Sequence, residues 1–231
     1  MKFICLTLLQ SLFTILPNVA AVPVGQVINT CSIPGTFAMT FDDGPSKYTQ
    51  QLLSSLKAKG TKATFFVVGE MIKDPKQAAA MKQAYMDGHQ IALHTYTPPH
   101  LNSLSSSLVQ KQIDQSMTAV YNVIGKRPRY FRCPYGECNS QTLQILARNN
   151  LVVVGWNLDT LDWKTKSAAA TLKAYEKGLS KAAPQSTFIA LEHEITKSTV
   201  QVVDKLIDAV TSKKLRLSRV VDCLGESNPY F

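Results

Sequence analysis

Short apolar runs alternate with longer helical stretches along most of this chain. The runs are rich in β-branched and aromatic residues and are bounded by Gly, Pro, Asp or Asn, as expected of strands that a parallel sheet buries on both faces. Seven runs have this character, namely residues 36–41, 63–68, 90–94, 130–132, 151–156, 187–191 and 216–220. We therefore predict about seven parallel strands.

The stretches between these runs show the apolar spacing of amphipathic helices. Residues 49–59 carry Leu52, Leu53 and Leu56 on one face and stop before Gly60, a favoured helix-terminating residue. Further helices are predicted over 107–124, 139–149, 166–181 and 198–213. The alternation, without a linker or an internal repeat, indicates one α/β domain. It leaves open an incomplete barrel or a doubly wound sheet, since right-handed crossovers suit both.

The first 21 residues have the pattern of a secretory signal peptide. Lys2 precedes an apolar run over residues 3–16, and Val19-Ala20-Ala21 offers small residues for cleavage. An apolar run of about 14 residues is too short to span a bilayer. We expect cleavage after Ala21 or Ala20, a single domain over residues 22–231, and a secreted protein, extracellular or in a cell wall, that is not bound to a membrane.

The net charge indicates which classes of partner the protein could bind. The chain has 25 Lys and Arg against 16 Asp and Glu, a formal net charge of +9. The cations are scattered, with no run longer than Lys213-Lys214, which is typical of a solvated surface rather than a nucleic-acid interface. We expect a monomer without a nucleic-acid partner, whose basic surface adheres to anionic cell-wall polymers.

Cysteine usage agrees with an oxidising compartment. Cys5 leaves with the signal peptide, and the even number that remains is Cys31, Cys133, Cys138 and Cys223. Three pairings are open. We favour Cys133–Cys138, which closes a short loop, and Cys31–Cys223, which ties the two ends of the domain together. A four-cysteine zinc site is the alternative, but the chain lacks paired C-x-x-C spacing.

Ionisable residues collect where the predicted strands end. They are Asp42 and Asp43 after the first strand, His94 at the end of the third, Arg132 at the end of the fourth, Asp159 and Asp162 after the fifth, and His193 after the sixth. The carboxyl ends of parallel strands form the active-site face of α/β folds. Any one of these residues alone is more simply explained as a turn residue, but the whole set at one edge of the sheet predicts an active site.

The residue types at this edge suit a hydrolytic reaction. Adjacent carboxylates point different ways, so one can bind a divalent metal with His94 while the other handles a proton. His193 can supply a proton from the opposite side. A base, a metal and an acid are the parts needed to hydrolyse an acyl bond, so the residues indicate metal-assisted hydrolysis without naming a substrate.

Several of these residues lie in motifs that resemble the polysaccharide deacetylases of the NodB-homology type, the chitin-deacetylase carbohydrate esterases. The motifs, in family order, are TFDDGPS at 40–46, KATFFV at 62–67, HTY at 94–96, RCPYG at 132–136, DTLDW at 159–163 and LEHE at 191–194. They span nearly the whole chain after the signal peptide. The resemblance implies a distorted (β/α) barrel of about seven strands.

The resemblance also implies roles for the residues that handle protons. Asp42 would be the general base, held by Arg132. His193 would be the general acid, oriented by Asp162. The backbone N–H of Tyr135 would stabilise the oxyanion.

For the metal and the acetyl group, the resemblance implies a further set. Asp43 and His94 would bind a divalent ion, with zinc as the expected metal and cobalt as the alternative. Trp163 and Leu191 would form an apolar pocket for the acetyl methyl group. Ordinary core packing is the alternative for these two apolar side chains.

One position departs from the family pattern. The second motif of the family has another metal-binding His four residues after the first, and here that position is Pro98. Proline offers no side-chain ligand. His100 is the remaining candidate for a third metal ligand, and an exposed loop residue or one lining a sugar cleft is the alternative. A site with only Asp43 and His94 would bind metal weakly.

Three functions are therefore under consideration. The first is a secreted deacetylase that removes N-acetyl groups from N-acetylglucosamine units of chitin or chitin oligomers. The second is a non-catalytic chitin-binding wall protein that lost its metal site, which Pro98 suggests. The third is a deacetylase of another acetylated polysaccharide, such as acetylxylan or peptidoglycan.

Overall fold

The computed structural model describes residues 22–231, so the predicted signal peptide lies outside the described residues. Within this range the strands, in chain order, are β1 (Val27–Ile28), β2 (Thr36–Asp42), β3 (Thr64–Val67), β4 (Gln90–Leu93), β5 (Tyr130–Phe131), β6 (Val152–Val154), β7 (Leu158–Asp159), β8 (Phe188–His193) and β9 (Arg216–Ser218). Each of the seven predicted runs overlaps a strand. The two that were not predicted, β1 and β7, are only two residues long.

The strands form one parallel sheet in the order β1-β6-β5-β4-β3-β2-β8-β7. The start of β2, at Thr36–Ala38, also pairs with β9, while its end pairs with β3. The sheet curls into a half-barrel whose two edges are β1 and β7. This confirms the distorted (β/α) barrel and excludes the doubly wound sheet.

Helices surround this sheet. They are α1 (Thr49–Ala58), α2 (Pro75–Met86), α3 (Ser106–Ile124), α4 (Ser140–Arg148), α5 (Asp162–Thr165), α6 (Ala168–Gly178), α7 (Lys197–Val200), α8 (Val203–Ser212) and α9 (Val220–Cys223). The helix predicted over 198–213 is two helices in the structure, α7 and α8. The helix α2 was not predicted, although Asp74 caps it by accepting a bond from the Lys76 N–H at 2.8 Å.

Side chains on the two faces of the sheet form two parts of the core. Phe37, Met39 and Phe41 of β2 point outward to the helices, whereas Ala38 points into the barrel. Because side chains alternate along a strand, Thr40 and Asp42 share the inner face with Ala38. The same alternation turns Leu191 and His193 of β8 inward. Polar side chains therefore lie inside the barrel at the carboxyl ends of the strands.

Two disulfides connect the chain as favoured from the sequence. Cys31, before β2, is joined to Cys223 in α9, with Cα atoms 5.0 Å apart across 192 residues. Cys133 is joined to Cys138 in the loop after β5. In residues 22–231, none of the helices has the length and apolar character needed to cross a membrane.

Candidate active site

A cavity of about 500 Å³ opens at the carboxyl ends of the strands. Its lining residues are Asp42, Asp43, His94, Pro98, Cys133, Pro134, Tyr135, Trp156, Asp159, Trp163, Leu191 and His193. The predicted site residues Arg132 and Asp162 lie directly behind this wall and are 1% and 0% exposed. The structure therefore gathers every predicted site residue in or behind one cavity, with the exception of His100.

The buried ion pair between Asp42 and Arg132 forms one side of the site. Arg132 donates from Nη1 to Asp42 Oδ1 at 2.8 Å and to Thr40 Oγ1 at 2.6 Å. Its remaining nitrogens donate to the carbonyls of Val154 and Gly155. Burial lowers the pKa of the guanidinium, but the adjacent Asp42 favours its charged form. The arrangement fixes Asp42 and leaves Oδ2 facing the cavity.

His193 and Asp162 form the opposite side. Asp42 and His193 lie directly opposite each other in the pairing of β2 with β8. The Nδ1 atom of His193 bonds to Asp162 Oδ1 at 2.7 Å, and Asp162 Oδ2 accepts bonds from the His193 N–H and the Thr199 hydroxyl. Because a carboxylate accepts, Nδ1 carries the proton and Nε2 faces the cavity.

The charges around His193 shift its protonation. Burial lowers the pKa of the imidazole, but the bond to Asp162 and the charges of Asp42 and Asp43 outweigh burial and raise it to about 9. Burial likewise opposes ionisation of Asp162, and its bonds to His193 and Thr199 keep its pKa below the ordinary value. The raised pKa favours the imidazolium form of His193, held by the Asp162 carboxylate.

Asp43 and His94 face each other between these two sides. His94 Nδ1 bonds to the Arg132 carbonyl at 2.9 Å, so Nδ1 carries a proton, and Nε2 faces Asp43 Oδ1 at 3.4 Å. Burial disfavours ionised Asp43, but His94 and His193 more than compensate and lower its pKa. Asp43 has φ 68°, a left-handed conformation that is uncommon for a residue other than glycine.

A carboxylate oxygen and an imidazole nitrogen at this separation are donors of the kind that zinc and cobalt accept. Asp43 and His94 therefore fit a divalent ion as two of its ligands. No group of three or more His, Cys, Asp or Glu side chains arranged to hold a metal is found in residues 22–231. Catalytic zinc usually has three protein ligands, and Pro98 lines the cavity where the resemblance implies the third.

His100 does not line this cavity and lies among other partners. Its Nδ1 bonds to Glu137 Oε2 at 3.1 Å, and its ring stacks on Tyr135 with centroids 4.2 Å apart. The side chain is 62% exposed. The Tyr135 hydroxyl donates to the Pro98 carbonyl at 3.1 Å, which joins the two loops. The structure thus places His100 on the outer rim, outside the residues that line the cavity.

The remaining predicted residues line the cavity walls. Tyr135 has φ 59° and an exposed ring, and its backbone N–H belongs to the loop beside Arg132. Trp163 is 52% exposed on the rim, whereas Leu191 is buried in the floor. Trp163 and Leu191 thus add apolar surface to the cavity that His193 also lines.

Three residues around the site were not singled out from the sequence. Thr40 and Thr199 hydrogen-bond Arg132 and Asp162, and a threonine in a strand or helix gives no sequence signal for such a contact. Glu194 supports the turn that carries Asp42 and Asp43. A signal for Glu194 was present, because a carboxylate next to a buried strand end is uncommon.

The cavity thus brings together a carboxylate held by a guanidinium, an imidazole held by a carboxylate, and a second carboxylate facing a second imidazole. The sequence profile of polysaccharide deacetylases matches residues 30–154. The chain is 35% identical over 215 residues to a chitin deacetylase of Pestalotiopsis sp, covering 90% of this chain and 70% of that protein. This chain belongs to the polysaccharide deacetylase family.

Solved structures agree with this assignment. The chitin deacetylase of Colletotrichum lindemuthianum superposes with a TM-score of 0.88 at 35% identity, covering 91% of this chain and 97% of the other. A peptidoglycan N-acetylglucosamine deacetylase superposes with a TM-score of 0.77 at 30% identity, covering 86% and 92% of the two chains. These relatives share the half-barrel and act on polymers of amino sugars, according to their names.

Proposed function

We propose that this protein is a secreted, metal-dependent hydrolase that removes N-acetyl groups from N-acetylglucosamine units of chitin or chitin oligomers. The observation that carries the proposal is that two pairs of side chains able to handle protons meet at one cavity. Asp42 is held by Arg132 on one side and His193 by Asp162 on the other, at matched positions of neighbouring strands. The names of the fungal relatives support chitin as the substrate.

The chemistry divides between the two pairs. Asp42 Oδ2, the oxygen that Arg132 does not bind, accepts a proton from the attacking water as its oxygen bonds to the acetyl carbon. His193 Nε2 then donates a proton to the amide nitrogen as the C–N bond breaks, which yields acetate and a free amine. Each proton transfer of this kind contributes about 10²- to 10⁴-fold to the rate.

Other groups of the cavity orient the substrate and stabilise charge. The Tyr135 N–H would donate to the carbonyl oxygen as negative charge develops there. Trp163 and Leu191 would contact the acetyl methyl group. Asp43 and His94 would hold the divalent ion, which supplies polarisation of the carbonyl and of the attacking water when it is bound.

The test is acetate release from an N-acetylglucosamine tetramer by the chain over residues 22–231, supplied with zinc or cobalt, across pH 5–9. We expect turnover in the wild type and a loss of at least about 100-fold in Asp42→Asn, which cannot accept the proton. Asp204→Asn, the same change on an exposed position of α8, is the matched control and should retain activity. The absence of acetate release under all conditions would refute the proposal.

A non-catalytic chitin-binding protein is the second candidate, and the position of Pro98 in the cavity wall favours it. Metal analysis of the purified protein and binding to insoluble chitin separate the two. Tight binding to chitin with neither metal nor turnover would establish this second function. A parallel assay on peptidoglycan and acetylxylan tests whether another acetylated polymer is the preferred substrate.

A further inference from the structure

Two glutamates, one in β8 and one directly after it, point away from the cavity. Their carboxyl groups lie in the layer between the sheet and the helices. Glu192 and Glu194 are each 0% exposed and alternate with Leu191 and His193, which face the cavity. Glu192 uses both oxygens, since it accepts bonds from the Thr40 N–H and the Tyr175 hydroxyl. Glu194 differs, because its Oε1 has no hydrogen-bond partner although it is buried.

Glu194 is bound to the turn over residues 42–46 through its main chain and its side chain. Its N–H donates to the Asp42 carbonyl at 3.3 Å, and its own carbonyl accepts from the Ser46 hydroxyl at 3.0 Å. Its Oε2 accepts from the Thr49 hydroxyl, and Thr49 Oγ1 in turn accepts from the Ser46 N–H at 2.8 Å. Both ends of the turn are therefore connected to this one residue.

The middle of the turn packs directly on the Glu194 carboxyl group. A Cβ atom added to Gly44 would lie 1.8 Å from Glu194 Oε1, so the glycine is needed for this close approach. The other side of Gly44 is fixed by its carbonyl, which accepts a bond from the Val68 N–H at 2.8 Å. The unpartnered oxygen is thus explained by contact with the turn rather than by a hydrogen bond.

The turn needs such support because Asp43 lies in the left-handed region of backbone conformation. A residue with a side chain persists there only when its surroundings determine the conformation. Glu194 contacts the turn immediately before Asp43, at the Asp42 carbonyl, and immediately after it, at Gly44. A displacement of either point would rotate the two aspartates relative to His193.

We propose that Glu194 is a positioning residue whose buried side chain holds the turn that directs Asp42 and Asp43 into the cavity. The importance of these two aspartates for activity rests on the function proposed above. The support that Glu194 gives to the turn does not depend on that function, and it can be measured separately.

Hydrogen exchange of the backbone amides tests the support of the turn without any assay of activity. In Glu194→Ala, the Val68 amide and a peptide covering residues 42–46 should exchange about tenfold faster, because the turn then opens locally. Glu194→Gln keeps the shape and the oxygen that accepts from Thr49, and it should remain within about threefold of wild type. Glu192→Gln, the same change two residues earlier, within β8, is the control and should leave exchange of the turn unchanged.

Kinetics test the consequence for the aspartates. Glu194→Ala should lower kcat by about 10- to 100-fold with KM within about twofold of wild type, since misplacing a catalytic group by about 1 Å has effects of that size. Glu194→Gln should restore kcat. Gly44→Ala should be impaired, and Gly44→Ala/Glu194→Ala should be no worse than Glu194→Ala alone, because both changes act on one contact.

Thr49→Val removes both hydrogen bonds of the hydroxyl, the one to the Glu194 carboxyl group and the one from the Ser46 N–H, without leaving a cavity. It is the substitute variant if Glu194→Ala does not fold, and the Val68 amide is then the readout that does not depend on the Ser46 bond. Thr49→Val should accelerate exchange of this amide and of the same peptide. Wild-type exchange of the turn in Thr49→Val and in folded Glu194→Ala would overturn the proposal. If the wild type releases no acetate, the proposed function fails, while the exchange measurements still decide the role of Glu194.

Discussion

The pair formed by His193 and Asp162 allows the effect of a substitution on the free energy of unfolding to be predicted with its magnitude. In the folded protein the pKa of His193 is raised from 6.5 to about 9, and its side chain is only 12% exposed. At roughly 1.4 kcal/mol for each pKa unit, this difference corresponds to about 3 kcal/mol of stabilisation of the protonated form. We predict that Asp162→Asn removes most of it, because the neutral amide keeps the shape of the side chain and loses the charge.

The sign of the pH dependence follows from the direction of the shift. A raised pKa contributes stability that is fully present below pH 6.5 and lost as the pH rises through about 9. The pKa of Asp162 is lowered, so its contribution is present above pH 3.8 and lost as the pH falls through its folded value. The coupling is therefore complete between pH 3.8 and 6.5, and it weakens toward pH 9.

The assay is an NMR titration of the His193 imidazole in metal-free protein, with denaturant unfolding at pH 6 and pH 9.5. In Asp162→Asn the imidazole should titrate near 6.5 or below, and the difference in unfolding free energy between the variant and wild type should be larger at pH 6. Asp159→Asn is a matched control, because Asp159 bonds the Leu161 N–H in the same loop and does not contact His193. Titration of His193 near 9 in Asp162→Asn would refute the reasoning.

Three further outcomes are expected. Arg132→Met leaves Asp42 buried and unpaired and should lower the free energy of unfolding by about 3–5 kcal/mol in urea titrations, and an unchanged midpoint would contradict this. Pro98→His should tighten zinc binding at least about tenfold in calorimetry by adding a third ligand, while His100→Ala should leave it unchanged. Equal affinities in all three proteins, or loss of binding in His100→Ala, would contradict the two-ligand site. Adhesion to anionic wall polymers should weaken as salt is raised, and salt-independent adhesion would exclude an electrostatic origin.

The sequence predicted the sheet well because strands that are buried on both faces are continuous apolar runs. Prediction from the sequence failed where a strand or helix depends on tertiary contacts. β1 and β7 are two-residue strands that exist only because a neighbouring strand offers hydrogen bonds. The helix α2 buries mainly Ala80, Met81 and Ala84, too small an apolar face to stand out, although Asp74-Pro75 marked its start.

The site was predictable to the extent that polar residues at strand ends must meet at one edge of a parallel sheet. The direction in which a loop side chain points could not be predicted in this way. His100 is held on the rim by the ring of Tyr135 and by Glu137, which are far away along the chain. The role of Glu194 depends on the absence of a side chain at Gly44, and that close approach is visible only in three dimensions.

The disulfide between Cys31 and Cys223 brings the two ends of the folded unit together at the side of the sheet where β2 begins. The cavity lies where β2 ends, at the other side. A carbohydrate-binding module, a surface anchor or an affinity tag fused before Val22 or after Phe231 would therefore lie away from the cleft. Immobilisation through either end should keep the cavity open to a long, insoluble polymer.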